Sequence, residues 1–456
     1  MTTMNAAAVL PGIKDPLGRR LSKDMRREGF LGAWGLWQRE FGDVYLVAAG
    51  GRNTVVALHP DAVQHVTVHL KDRYDKAWSY ETVRKLMLGD GLVTSTGPLW
   101  RRQRRLMSPF FTPRGIEQFA RIMIDDGQMM VRRWEALAFS GEEVEIGDEM
   151  MRVTASIILK TMFGMNSDEE VLRLKEAVET QITYVSGAQF NPLRLPLWVP
   201  TAENRKFKAA TKLVDDYING IIAQRRALPE AQWPDDLLTR LMLAKDDETG
   251  EMMSDKLLRD EAVTVFFAGH ETTARTLMFT WYALARNPDV ANRLHAEVDA
   301  VLGDAPPTLE DLKRLPYTLQ VIKETLRLYP AAPIYVRDAI ADDVIMGYAV
   351  PKGSTVMLIP YWTHRHPEFW PAPEQFDPDR WTPEAEAARH PYAFHPFATG
   401  QRICIGNNFS LLESHILLSM LARRYRVVLR PGHVAQVDAT GTLYSKNGLP
   451  MRIEAR

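Results

Sequence analysis

The chain has 456 residues, 46% of them hydrophobic and 25% charged, which is room for one large globular domain or two to three ordinary ones. Its 56 Lys and Arg against 57 Asp and Glu leave a net charge of −1, so no global field favours nucleic acid or an anionic membrane. The one cysteine, Cys404, excludes an internal disulfide, a multi-cysteine zinc site and an ordinary cysteine-ligated iron–sulfur cluster.

The N-terminal apolar stretch runs only from Ala6 to Leu10 before Pro11 breaks it, and no basic residue precedes it. That is too short for a signal core or for a span of ~20 residues. Residues 1–40 therefore read as a lead without a membrane anchor, and a reducing, cytoplasmic location is expected. Two short strands are predicted around residues 43–47 and 54–58, joined by a Gly50-Gly51 turn, and Pro60 opens a helix to about Val68. Residues 99–245 carry helical periodicity, interrupted at residues 191–201 by a loop rich in Pro, Leu and Trp.

A long helix is predicted from an N-cap at Ser254 to Arg286, just before Asn287-Pro288. About thirty residues at 1.5 Å each span roughly 45 Å, the width of a domain this size. Helices follow at residues 289–302 and 309–328, then short strands over 330–357 and an irregular stretch rich in Pro, Trp and His as far as Phe397. A last helix is placed at about residues 405–425, and the tail reads as short strands. The fold class is mainly α with small β-sheets, in a single domain over residues 1–456.

The segment Phe397-Ala-Thr-Gly400-Gln-Arg402-Ile-Cys404-Ile-Gly406 carries the chemistry. Glycines at 400 and 406 allow positive φ and close approach to the backbone. Arg402 brings a positive charge near the sulfur, and a helix starting just after Cys404 points its N-terminal amides at it; both favour thiolate. A small buried hydrophobe and a nucleophilic cysteine are the alternatives, the latter needing a base such as His395. The segment resembles the haem-binding loop Phe-x-x-Gly-x-Arg-x-Cys-x-Gly of the cytochrome P450 superfamily at every fixed position. The resemblance implies Cys404 as axial ligand of a haem b iron, Phe397 beside the sulfur, and Arg402 on a haem propionate.

Three further motifs stand in the matching order. Ala268-Gly269-His270-Glu271-Thr272-Thr273 lies mid-way along the predicted long helix, where Ala268 and Thr272 share a small apolar face. Read alone, this is either a tight helix crossing or room for a ligand. It resembles the oxygen-binding groove of the superfamily, which implies a long central helix over the haem and Glu271 and Thr272 as its proton relay. Glu324-Thr-Leu-Arg327, with Arg380 from the later Phe376-Asp-Pro-Asp-Arg-Trp381, resembles the superfamily's buried structural Glu/Arg set; Asp379 stands where Glu is common. Trp100-Arg-Arg-Gln-Arg104 resembles its Trp-x-x-x-Arg helix, implying propionate donors at Trp100 and Arg104, and Arg337 falls where members often place another.

The function implied is a haem-thiolate monooxygenase that inserts one oxygen atom from O2 into a lipophilic substrate of fatty-acid, terpenoid, steroid or polyketide type. Electrons would come from NAD(P)H through a separate ferredoxin- or flavodoxin-type partner, because the chain has no Gly-x-Gly-x-x-Gly fingerprint. Arg101, Arg102 and Arg105 are candidates for docking it. A monomer is expected. Residues 78–92, 190–199, 265–273, 331–335 and 440–443 are the expected pocket walls, and Arg84 or Lys85 could hold a substrate carboxylate. A peroxide-dependent hydroxylase on the same fold and a non-enzymatic haem-thiolate sensor are the alternatives.

Overall fold

The computed structural model describes residues 7–164, 168–190, 195–303, 305–439 and 441–456. The chain is 59% helical. Its organising element is helix α1, Asp255–Arg286, whose N-cap Ser254 side chain accepts from the Leu257 N–H at 3.3 Å. Its 32 residues at 1.5 Å rise run about 48 Å. Most of its side chains are buried on all sides, so it has no solvent face to speak of and serves as the core of the molecule. Helix Ile146–Phe163 packs along it, and the Thr154 hydroxyl donates to the His270 carbonyl oxygen at 2.9 Å across the crossing.

The larger sheet has six strands: β1 (Gly12–Asp15), β2 (Val44–Ala49), β3 (Arg52–Ala57), β4 (Tyr74–Lys76), β5 (Tyr335–Ala339) and β6 (Thr355–Leu358), in the order β1-β2-β3-β6-β5-β4. Gly50 and Gly51 between β2 and β3 both take positive φ, 56° and 75°, the conformation a tight two-residue hairpin turn demands. The expected N-terminal lead is part of this assembly. β1 pairs parallel with β2, and helix Arg19–Phe41 buries Trp34 and Trp37 against the sheet, with the Trp37 indole donating to Asp24 at 2.9 Å.

The helix expected over residues 309–328 is two, Leu309–Lys313 and Pro316–Leu328, because Pro316 cannot donate into a continuing ladder and instead starts the second. That second helix carries Glu324 and Arg327, both fully buried. The Arg327 guanidinium forks onto Glu324 at 2.8 and 2.9 Å and donates to the carbonyls of His364, Pro373 and Gln375. Glu324 also accepts from the Trp381 indole at 3.0 Å and the Asp377 N–H at 2.9 Å, with Arg380 3.5 Å away. A buried ion pair is tolerated when every lone pair and N–H has such a partner. The set ties the irregular stretch after residue 360 to the helical core. Among the described residues no helix is long and apolar enough to cross a membrane.

Candidate active site

A cavity lies between α1 and the loop that precedes the last long helix, Asn407–Arg424. The loop is closed by the Cys404 N–H donating to the Phe397 carbonyl at 2.9 Å. Gly400 takes φ 70°, and a Cβ there would run into the Thr67 carbonyl oxygen, so only glycine fits. Gly406 differs from expectation: its φ is −86°, an ordinary value, and its bare backbone lies against the cysteine sulfur. The Cys404 Sγ opens onto the cavity.

The charge near that sulfur comes from another element than expected. Arg402 turns away to pair with Asp75 at 2.8 Å and to reach the Ser95 carbonyl at 3.1 Å, lying over the Trp100 ring at 4.2 Å. Arg104, on helix Gly97–Met107, donates to the Ile403 carbonyl at 2.7 Å and supplies the field at Cys404. Burial pushes the thiol up; the Gly406 N–H and Arg104 pull it the other way without cancelling the burial.

A belt of cations also lines the cavity. Arg104, Arg337, Arg402 and Lys76 all line the cavity, and only Arg402 has a carboxylate partner. Among the described residues Lys76, Arg104 and Arg337 have no carboxylate within 4 Å. Lys76 and Arg337 stand directly opposite each other on the antiparallel strands β4 and β5, an arrangement that destabilises a sheet unless an anion lies between the charges. Burial, Arg337 and Arg402 together hold the Lys76 ammonium well below the usual lysine range. Arg402 is pushed down to about 10 by burial. Sequence reasoning missed Lys76 and Asp75. The signal is a strand pairing between residues far apart in the chain, which no local motif carries.

On α1, Val265, Ala268, Gly269, Thr272 and Thr273 line the cavity. The Thr272 hydroxyl donates to the Ala268 carbonyl oxygen at 2.7 Å. Gly269 serves the helix crossing as well: a Cβ there would stand 3.0 Å from Ile158. Glu271 lies one residue outside the lining. Its carboxylate accepts from the Thr442 hydroxyl at 2.7 Å and faces Arg275 at 3.5 Å. Phe397 lines the cavity beside Cys404. His395 is buried and pushed down to about 3 by that burial, and its Nδ1 meets the Tyr335 hydroxyl at 3.2 Å, so it is no base for the cysteine.

The cytochrome P450 family model matches residues 28–448. This chain is a cytochrome P450. It is 34% identical to the cyclooctatin synthase of Streptomyces melanosporofaciens over 86% of this chain and 84% of that one. It is 31% identical to the pentalenene oxygenase of Streptomyces avermitilis, covering 91% of each, and 33% identical to the cytochrome P450 4V2 of Homo sapiens over 81% of this chain and 74% of that one. The solved heme domain of cytochrome P450DA superposes with a TM-score of 0.87 at 29% identity, over 98% of this chain and 99% of that one. The P450 is a monooxygenase.

The residues present fit the family's haem. One sulfur and a net-cationic belt line one cavity, which suits a flat macrocycle with a central metal and two carboxylates. Among the described residues no group of three His, Cys, Asp or Glu could hold a metal, so a metal at Cys404 must bring its other ligands with it.

Of the expected walls, residues 78–92 contribute Tyr80 and Leu92, and residues 331–335 contribute Ala331, Ala332 and Tyr335. Residues 191–194 and Thr440 lie outside the described residues, and residues 195–199 and 441–443 do not reach the lining. Arg84 and Lys85 are surface pairs with Asp90 and Glu81. Arg102 and Arg105 both close on Asp246, with Glu251 and Glu248 beside them; that leaves Arg101 as the exposed cation of the expected docking cluster.

Proposed function

We propose that this P450 oxygenates a neutral, hydrocarbon-rich substrate of terpenoid type, with electrons from NAD(P)H delivered by a separate ferredoxin- or flavodoxin-type protein. The observation that carries the substrate reading is the charge distribution of the cavity. All its charged lining groups, Lys76, Arg104, Arg337 and Arg402, belong to the belt that suits the haem propionates. The rest of the described lining is uncharged, so a fatty-acid carboxylate would find no fixed cation, and burying it unpaired is costly. The names of the Streptomyces relatives, cyclooctatin synthase, cyclooctat-9-en-7-ol 5-monooxygenase and pentalenene oxygenase, support the same class. The partner is proposed because the sequence carries no dinucleotide fingerprint and one cysteine.

Haem, when bound, supplies the redox chemistry by which O2 is activated. Cys404 would ligate its iron, and Trp100, Arg104, Arg337, Arg402 and Lys76, which line the same cavity, would hold its propionates. Phe397 and the bare backbone at Gly400 and Gly406 let the loop approach closely. Thr272 keeps its hydroxyl proton on the Ala268 carbonyl and leaves its lone pairs to the cavity, which suits a group that accepts one proton as it gives another. Glu271 acts as the reservoir behind it and must release Thr442 and Arg275 to serve Thr272. Ala268, Val265, Leu92 and Ala331 exclude water from the substrate side.

The test is turnover of the haem-loaded enzyme with NADPH, a surrogate ferredoxin and its reductase, across cyclic sesquiterpenes, diterpenes and long-chain fatty acids. Oxygenated terpenes with little fatty-acid product are expected. Faster fatty-acid oxidation would overturn the substrate reading. Turnover with peroxide that survives Thr272→Ala, with none through the partner, would overturn the electron route.

A further inference from the structure

The segment from Arg84 to Val93 forms a wall of the cavity through Leu92 and Val93, and the N-terminal half of α1 holds it at several points. The Asp90 N–H donates to Asp260 at 2.9 Å, Lys256 bridges Asp90 and Asp260 at 2.8 and 2.9 Å, and Arg259 donates to the Met87 carbonyl at 2.9 Å. Gly91 sits flush on α1, where a Cβ would collide with the Thr264 hydroxyl.

At the centre is Glu261, fully buried and outside the cavity lining. One carboxyl oxygen accepts from the Leu92 N–H at 3.0 Å and the other from the Gln103 amide at 2.6 Å. The same Gln103 amide donates to the Asp90 carbonyl at 2.9 Å. Glu261 thus joins three elements: the cavity wall, the central helix, and the helix that carries Trp100 and Arg104. Nothing in the oxygenation chemistry uses it.

We propose that Glu261 is a positioning residue that latches the Leu92–Val93 wall onto the central helix and so sets how large a molecule the cavity accepts. The proposal rests on the cavity being the substrate site. Burial, with Asp260 adding to it against the Leu92 N–H, pushes the Glu261 carboxyl up to about 8. The charged groups around it and its neighbours are Asp260, Asp90, Lys256, Arg259 and Arg84, and all five pair with one another. Released into water, Glu261 would titrate near its ordinary 4.5. A carboxyl whose closed-state pKa is raised holds the latch best at low pH and loses that contribution as pH rises through about 8. Opening of the segment should grow by up to about tenfold per pH unit below that point and level off above it.

Two readouts test this on the haem-loaded enzyme. The first is hydrogen exchange of residues 84–95 from pH 6 to pH 9, taken relative to Thr355–Leu358 in the same molecule, so that the pH dependence of the chemistry cancels. The second is the affinity for imidazole and for clotrimazole, a small and a large haem-ligating probe, read by the Soret shift. Wild type is expected to show the pH-dependent exchange ratio, and Glu261→Gln, which cannot ionise, to lose it. At the low end of that pH range Glu261→Gln, an isostere of the neutral carboxyl, should leave the clotrimazole-to-imidazole affinity ratio near its wild-type value, whereas Glu261→Ala, which removes both acceptors, should raise it about fivefold, the worth of one hydrogen bond. A flat exchange ratio in wild type overturns the latch, and that measurement needs no variant to fold. Equal changes for both probes overturn the role in discrimination. If imidazole gives no Soret shift in wild type, the cavity reading fails and the proposal with it.

Discussion

Replacing Lys76 by Met should move the apoprotein and the haem-loaded protein in opposite directions. Without haem, Lys76 faces Arg337 across the β4–β5 pair and lies near Arg402, and its ammonium is held well below the usual lysine range by burial and those two cations. Methionine keeps most of the side-chain volume and removes the repulsion, so the apoprotein should gain stability, by about 1 kcal/mol if like charges opposite on a strand pair cost what such pairs usually do. With haem bound, the same substitution removes a charged donor to a propionate, worth about 2 kcal/mol, or a roughly 30-fold loss of haem affinity. Chemical denaturation of the apoprotein and haem transfer to apomyoglobin read the two effects separately. The pH dependence has a definite sign. A lysine with a depressed folded pKa favours folding at high pH, so apoprotein stability should rise toward 10.5, and Lys76→Met should flatten that rise. Loss of stability in both forms, or haem affinity unchanged, would refute the belt as an anion site.

Glu324→Ala should cost about 3–5 kcal/mol, because it strands the fully buried Arg327 charge; urea unfolding of the apoprotein measures it, and a loss under 1 kcal/mol would show the pair is not structural. Gly400→Ala should lower haem retention, since a left-handed alanine alone costs about 1–2 kcal/mol and the Thr67 carbonyl must also move; the Soret absorbance per protein after gel filtration reads it. Thr272→Ala should leave substrate binding within about threefold but lower product formed per NADPH consumed by about tenfold or more, as the lost hydroxyl acts on protons rather than on packing.

The chemistry-bearing residues were legible because they sit in short local patterns. The Cys404 loop, the α1 segment at 268–273 and the Glu324/Arg327 pair each occupy a few consecutive residues, and the backbone conformation each needs is written in the same residues, as with Gly400 at φ 70°. The central helix was legible because nothing breaks it between Ser254 and Asn287. Long-range pairing was not legible. Lys76 reaches the cavity only because β4 pairs with β5, and Glu261 matters only because Leu92 and Gln103 fold onto it. The same limit explains the docking cluster: Arg102 and Arg105 read as free cations until the chain brings Asp246 to them. Helix Arg19–Phe41 escaped notice because its helical periodicity is interrupted at Gly29, which takes φ 76°.

The central claim is that Cys404 binds the haem iron as a thiolate. The measurement that tests it most directly is the absorption spectrum of the haem-loaded protein, reduced and saturated with CO, for wild type and Cys404→His. A strongly red-shifted, thiolate-type Soret band is expected in wild type and its loss in the variant. An unshifted, imidazole-type band in wild type would contradict it.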